Sequence, residues 1–270
     1  ATEMNSMCDR LVEANERAAR EMRSRVEALD QLRHADRLVT LGKLASGVAH
    51  EIGTPLNVVQ ARAAMLVDGT TSLGEAADYG RVIVRATERI ARIIGQLLAF
   101  ARRGATQKSR VDLAFLAKHT TELLGPLAAK RHVALRVVDG GAPCFADADG
   151  SQIEQVLTNL VMNGIQATED AGAVEITIDV ARARPPPDHG GPETDYARVR
   201  VKDAGRGIPA EHLSHVFEPF FTTKDVGEGT GLGLSISYGI IREHGGWITA
   251  DSEPGRGTEL TFYLPKKEES

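Results

Sequence analysis

At 270 residues the chain is long enough for two domains, and 42% hydrophobic with 26% charged residues belongs to a globular protein rather than a disordered one. A formal net charge of -5 gives no basic field for nucleic acid or an anionic membrane surface, which excludes both as partners. Cys8 and Cys144 fit neither a disulfide framework nor a metal motif, and no apolar run reaches the ~18 residues that cross a bilayer, so the expectation is a cytoplasmic chain.

The chain opens abruptly in helical sequence, Ala1-Thr2-Glu3-Met4. It is therefore expected to be the C-terminal part of a larger protein, with an upstream sensor domain absent from it and a membrane anchor possible in the missing part. Residues 1–37 are charged, free of Pro and Gly, and carry Leu11, Ala18, Met22, Leu29 and Leu32 at approximate heptad positions. That pattern predicts a signalling helix or weak coiled coil. It runs without a break into a second helical pattern, Leu38 to Leu66, giving a rod of about 60 residues and ~90 Å.

Within the rod, Leu38, Leu41, Ala45, Val48 and Ile52 form one apolar stripe. His50 lies about 160° from its centre, with Thr54 beside it on the outward face. Pro55 lacks an amide hydrogen and clashes with the carbonyl of Glu51, so a bend is expected next to the histidine. After a turn over Gly69–Gly74, Leu73, Ala77, Gly80, Ile83, Thr87, Ile90, Ile94, Leu97 and Ala101 mark a second helix. One hairpin cannot enclose both stripes, and pairing of residues 38–103 from two copies into a four-helix bundle resolves this. The polar stretch 104–110 reads as a linker.

Residues 111–265 change to mixed helix and strand, with 266–270 as a tail. Strands are predicted near Arg110–Leu113, His132–Val138, Val174–Ala181, Tyr196–Lys202, Trp247–Ser252 and Thr258–Leu264. Helices are predicted up to Lys130, over Gly150–Glu169 and over Gly231–His244. Alternation in Val174-Glu175-Ile176-Thr177-Ile178 implies a sheet with one face under helices, an α/β sandwich. The Pro-rich run Arg184–Pro192 reads as a surface hairpin loop.

Three constellations carry chemistry. Asn159 and Asn163 are one helical turn apart, and amide oxygens suit Mg²⁺ held between protein and phosphates. Asp203-Ala204-Gly205-Arg206-Gly207 follows a strand, where an aspartate can accept a hydrogen bond from the exocyclic amine of adenine and two glycines admit a flat base. Gly229-Thr230-Gly231-Leu232-Gly233-Leu234 opens a helix whose bare amides can meet a polyphosphate. Upstream, Phe220-Phe221-Thr222-Thr223-Lys224 suits a lid closing on nucleotide.

The ordered set Asn159/Asn163, Asp203-x-Gly-x-Gly, Phe217-Glu218-Pro219-Phe220 and Gly229-Thr230-Gly231-Leu232-Gly233-Leu234 resembles the N, G1, F and G2 boxes of sensor histidine kinases, and Ala49–Leu56 resembles their phosphoacceptor box. The resemblance implies a helical dimerisation and phosphotransfer hairpin followed by an ATP-binding domain of the Bergerat type. It implies ATP and Mg²⁺ as cofactors, a homodimer, and the receiver domain of a response regulator as partner. By similarity His50 is the nucleophile toward the γ-phosphorus of ATP and Glu51 holds the proton on its other ring nitrogen. Asn163 ligates Mg²⁺, Asn159 supports metal and phosphates, Asp203 reads adenine, and Phe221 to Lys224 and Gly229 to Leu234 surround the nucleotide. Glu51-Ile52-Gly53-Thr54 resembles the family's phosphatase signature, with Thr54 orienting water.

Related ATPases of the chaperone, mismatch-repair and gyrase type carry a water-activating glutamate one turn before the metal-binding asparagine. Asn159 stands there, favouring transfer over hydrolysis. One departure is Gly164, where the family more often has alanine and where glycine costs a helix up to ~1 kcal/mol. The readings set against a kinase are a silent scaffold that binds a receiver and a hydrolytic ATPase.

Overall fold

The computed structural model describes residues 49, 52–68, 72–101, 107–141, 143–169, 171–187, 189–224 and 231–266. His50, Glu51, Gly229 and Thr230, together with residues 1–48, lie outside the described residues. Two compact units meet between Ala105 and Thr106.

The first unit is a helical hairpin. Helix α1 covers 52–67 and continues through Pro55, and α2 covers Leu73–Ala101. Ser72 starts α2 with a reciprocal cap: its amide and hydroxyl both donate to Glu75 Oε2, at 2.9 and 2.7 Å, and its Oγ receives the Glu75 amide at 3.4 Å. Arg62 of α1 lies over the ring of Tyr79 of α2, 5.0 Å from its centroid, so the helices run side by side near the turn.

The buried positions of the hairpin include Pro55, Ala86 and Ile93. Of the stripe expected on α2, Ile94 is 43% exposed and Ile83 and Ile90 are half-exposed in the single chain. Ala86 and Ile93 adjoin Ile83 and Ile90 on one side of α2, at spacings of three and four. Leu56 and Met65 of α1, and Val84 and Ile94 of α2, are exposed in the single chain.

The second unit is the α/β sandwich. Its main sheet has five strands: β2 (Ala134–Asp139), β4 (Ala173–Ala183), β5 (Thr194–Asp203), β7 (Gly257–Pro265) and β6 (Trp247–Glu253), in that spatial order. β2 and β4 are parallel, joined through α4 (Gly150–Ala167), and the other pairs are antiparallel. A separate ribbon pairs β1 (Ser109–Asp112) with β3 (Phe145–Ala148). Strand β3 and the one-turn helix α5 (Ala210–Leu213) are additions to the expected elements.

Helices α3 (Leu113–Lys130), α4 and α6 (Gly233–Glu243) pack together on one face. Between them and the sheet lie Ile153, Leu157, Leu160, Ile165, Ile176, Ile178, Ile240, Phe262 and Leu264, all essentially without solvent exposure. The predicted alternation sets this arrangement: Val174, Ile176 and Ile178 point to the helices, whereas Thr177 and Asp179 point to the opposite face. On that face Arg198 grips Asp179 through two bonds of 2.8 and 2.6 Å, which holds the carboxyl below the usual aspartate range.

Asp149 caps α4, accepting the amides of Ser151 and Gln152. Its own amide donates to Nε2 of buried His244 at 3.0 Å, and Nδ1 of that ring donates to the Ile240 carbonyl at 2.8 Å. A neutral histidine thus ties the end of α6 to the start of the helix that carries both asparagines.

Candidate functional site

Asp203 ends β5 with its side chain 7% exposed. Its Oδ1 accepts the amides of Gly205 at 2.9 Å and Thr258 at 3.2 Å. No residue among those described bonds to Oδ2, which leaves one carboxylate oxygen for an outside donor. Burial pushes the carboxyl above the ordinary aspartate range, and the two amides oppose that shift.

The glycines around Asp203 answer a different need from the one expected. A β-carbon at Gly205 would stand 2.4 Å from the Ala167 carbonyl oxygen, and one at Gly207, where φ is 69°, would stand 2.1 Å from the Glu253 carbonyl oxygen. The close approach at both is to this protein's own backbone. Thr258 was not singled out from sequence. The signal was present in Gly255-Arg256-Gly257-Thr258, a turn leading directly into β7. Ser252 extends this cluster: its Oγ lies 2.9 Å from Thr258 Oγ1 and accepts the Ile208 amide at 2.8 Å.

Helix α4 brings Asn159 and Asn163 to the same side of the domain as α6. Asn159 donates through Nδ2 to the Gly233 carbonyl at 3.1 Å and to Ser237 Oγ at 3.3 Å. Its own oxygen is thereby turned away from those acceptors. Asn163 Oδ1 receives the ammonium of Lys224 at 3.4 Å, and Gln166 Oε1 receives the same ammonium at 2.5 Å. A site whose neutral amide oxygens already attract a cation fits Mg²⁺ shared with phosphates. Among the described residues no cluster of three His, Cys, Asp or Glu forms, so the donors here are of the amide kind.

The α6 N-cap residue, Leu232, makes no side-chain cap bond, and a helix amino terminus favours an anion. Leu232 is buried and its side chain serves the core, whereas Gly231 and Leu234 are half-buried. Gly231, at φ 64°, would drive a β-carbon to 2.3 Å from the backbone of Phe220. Gly233 differs, because the nearest atom to a β-carbon there is Asn159 Cγ at 3.8 Å.

The aromatic segment is anchored rather than loose. The Phe220 amide donates to the Gly231 carbonyl at 2.9 Å, Phe221 packs against His212 and His215 at 5.5 and 5.9 Å between ring centroids, and Phe217 meets Tyr238. Thr222 Oγ1 accepts the Lys224 amide at 3.2 Å, and Thr223 is exposed. Asn159 is thus bonded to the start of α6, Asn163 and Gln166 share the Lys224 ammonium, and Asp203 lies in the same domain. Thr54 belongs to the hairpin, half-buried on α1 next to Pro55.

Comparison with known proteins meets this geometry at both units. Residues 40–106 match the His Kinase A (phospho-acceptor) domain, and residues 148–268 match the histidine kinase-, DNA gyrase B- and HSP90-like ATPases. The chain belongs to the two-component sensor histidine kinases. Among members of this family, it is 35% identical over 248 residues to the sensor histidine kinase ZraS of Klebsiella oxytoca, covering 91% of this chain and 50% of that protein. It is 32% identical over 273 residues to sporulation kinase C of Bacillus subtilis, covering 100% of this chain and 56% of that one. The chain thus spans about half the length of these relatives.

Among solved histidine kinase structures, ThkA in complex with the response regulator protein TrrA aligns with a TM-score of 0.70 at 27% identity, covering 87% of this chain and 64% of that one. Among the described residues no helix is long and apolar enough to cross a membrane.

Proposed function

We propose that this chain is the ATP-dependent protein-histidine kinase portion of a two-component system. It transfers the γ-phosphoryl group of ATP to His50 and then to an aspartate of a response regulator receiver domain. The observation that carries the reading is the presence, in one chain, of a phosphoacceptor match over 40–106 and a nucleotide-domain match over 148–268. The nucleotide-domain match contains a buried aspartate with one oxygen left for a ligand.

In this reading Asp203 accepts the exocyclic amine of adenine. The α6 amino terminus, with Gly229 to Leu234, receives the phosphates. Asn163, supported by Asn159, holds Mg²⁺, which supplies charge neutralisation at the phosphates. At the reacting centre an imidazole nitrogen of His50 forms the new P–N bond as the bond to the β,γ-bridging oxygen breaks and ADP leaves. Glu51 holds the proton on the other ring nitrogen. Asn159, neutral and committed as a donor to Gly233 and Ser237, has no basic group with which to activate water. That supports transfer over hydrolysis.

The apolar face that the hairpin leaves uncovered supports a homodimer through residues 38–103. ThkA is seen with a response regulator, and the same class of partner is proposed here. Incubation with γ-labelled ATP is the test. An acid-labile, alkali-stable label that disappears in His50→Gln is expected. No retained label, whether or not phosphate is released, overturns the reading.

A further inference from the structure

Lys224 reaches from the anchored aromatic segment to two amide oxygens on one face of α4, Gln166 Oε1 at 2.5 Å and Asn163 Oδ1 at 3.4 Å. One of these, Asn163 Oδ1, is the atom to which the proposed function gives the metal. We infer that Lys224 is a positioning residue with two stations, and that Gln166 is the perch that holds its ammonium over the metal ligand when nucleotide is absent. An ammonium and a divalent cation compete for one amide oxygen, because like charges at that separation repel. Metal-bound nucleotide therefore has to expel Lys224 from Asn163, and the released ammonium then has the phosphates as its partner.

The geometry favours a defined perch over a wandering side chain. Phe220 is tied to Gly231 through its backbone, Phe221 is set between His212 and His215, and the Thr222 hydroxyl accepts the Lys224 amide. The backbone of Lys224 is thus held within reach of α4. Of the bonds to Asn163 and Gln166, the shorter goes to Gln166, which lies one turn beyond Asn163 and is exposed. Gln166 itself offers nothing to the nucleotide in the proposed mechanism, so the perch can be removed without touching a ligand-binding group.

This inference rests on the nucleotide reading above, and the test separates the two. ADP is titrated calorimetrically into the full chain, once with Mg²⁺ and once with EDTA, for wild type, Gln166→Ala and Lys224→Met. Without metal, ADP binds while the lysine keeps its perch. With metal, the perch has to be vacated. Loss of an exposed charge-assisted hydrogen bond worth about 1 kcal/mol corresponds to about fivefold in affinity.

The ratio of the EDTA to the Mg²⁺ dissociation constants should therefore rise about fivefold in Gln166→Ala. Lys224→Met, which lacks the perched ammonium, should bind ADP in EDTA as wild type does, because without metal the lysine does not touch the nucleotide. A ratio unchanged in Gln166→Ala, with melting behaviour like wild type, overturns the perch. Absence of ADP binding by wild type in both conditions overturns the nucleotide reading instead.

Discussion

Thr258 donates its backbone amide to Asp203 Oδ1 over 3.2 Å, a bond from the start of β7 to the carboxyl at the end of β5, where adenine is proposed to sit. With Gly205 on the same oxygen, the carboxyl is oriented in a buried place. Its pKa is raised chiefly by that burial, so the folded protein takes up this proton more readily than the unfolded chain. The stability this confers is complete below the ordinary aspartate range and is lost as pH rises through the raised value.

Asp203→Asn keeps an oxygen for both amides and removes the charge. It is expected to raise stability at neutral pH by about 1 kcal/mol and to bind ATP far more weakly. The gain should shrink as the pH falls toward about 4, where the wild-type carboxyl is protonated. Thermal melts at the two pH values, with a nucleotide titration, check this. A lower neutral-pH melting point in the variant would count against it.

The glycines of the site separate into two kinds, and substitution distinguishes them. At Gly257, φ is 92° and a β-carbon would lie 1.9 Å from the Asp203 carbonyl oxygen. Gly257→Ala is expected to cost about 3 kcal/mol through forced backbone movement. At Gly233 nothing within the protein opposes a methyl group closer than 3.8 Å. Gly233→Ala should melt within about 0.5 kcal/mol of wild type and yet weaken nucleotide binding, because that methyl would stand where phosphate meets the helix amides. Normal nucleotide affinity in Gly233→Ala would remove Gly233 from the binding surface.

Much of this was legible in the sequence, for physical reasons that also mark where legibility stopped. Val174 to Val180 alternate because one face of β4 is under helices, and the predicted strand corresponds to Ala173–Ala183. Strand β3 was missed because four residues after a proline carry too short a pattern, and its pairing with β1 is fixed by tertiary context. On α2 the period was readable but the full set of residues was not. Ala86 and Ile93, which the expected stripe omits, lie beside Ile83 and Ile90 on the same side and are buried. The glycines at 205 and 207 were readable as necessary, but the groups they make room for belong to distant parts of the same chain.

Gly164 illustrates such a distant constraint and yields a further expectation. A β-carbon there would meet both γ-carbons of Val174 at 3.1 Å and Asp203 Cβ at 3.3 Å. The missing methyl therefore matches a bulky neighbour, and the helix-propensity loss is the counterpart of that fit. Gly164→Ala alone is expected to destabilise by about 1 kcal/mol, crowding outweighing the propensity gain. Val174→Ala alone should cost about 1–2 kcal/mol by leaving space. The double variant should be more stable than their sum predicts by about 1 kcal/mol. Additive melting free energies would show that the two positions do not share this space.

Thr54 gives an expectation that leaves the nucleotide domain alone. It sits half-buried on α1, one residue before buried Pro55. If it orients water against the phosphoaspartate of a receiver, Thr54→Ala should leave label transfer from ATP to His50 near the wild-type rate. Dephosphorylation of the receiver should slow by about tenfold. Equal dephosphorylation by both proteins, measured on purified phosphorylated receiver, would remove the phosphatase role.

His244 supplies the acid side of the stability profile. Its ring is buried, with Nδ1 donating to the Ile240 carbonyl and Nε2 accepting from the Asp149 amide, an arrangement open only to the neutral form. Burial, the largest influence, lowers its pKa from the ordinary value of 6.5. The unfolded chain therefore binds this proton first as pH falls. The stability it contributes is complete above that ordinary value and is lost as pH drops toward the depressed one.

Because the Asp149 amide opens the helix bearing Asn159 and Asn163, the loss should extend to nucleotide affinity. His244→Gln, unable to charge, is expected to be less stable at pH 7.5 by about 1–2 kcal/mol. Its melting point should then fall less steeply than wild type between about pH 6.5 and pH 5. Parallel pH profiles for the two proteins would show that this imidazole does not carry the acid sensitivity.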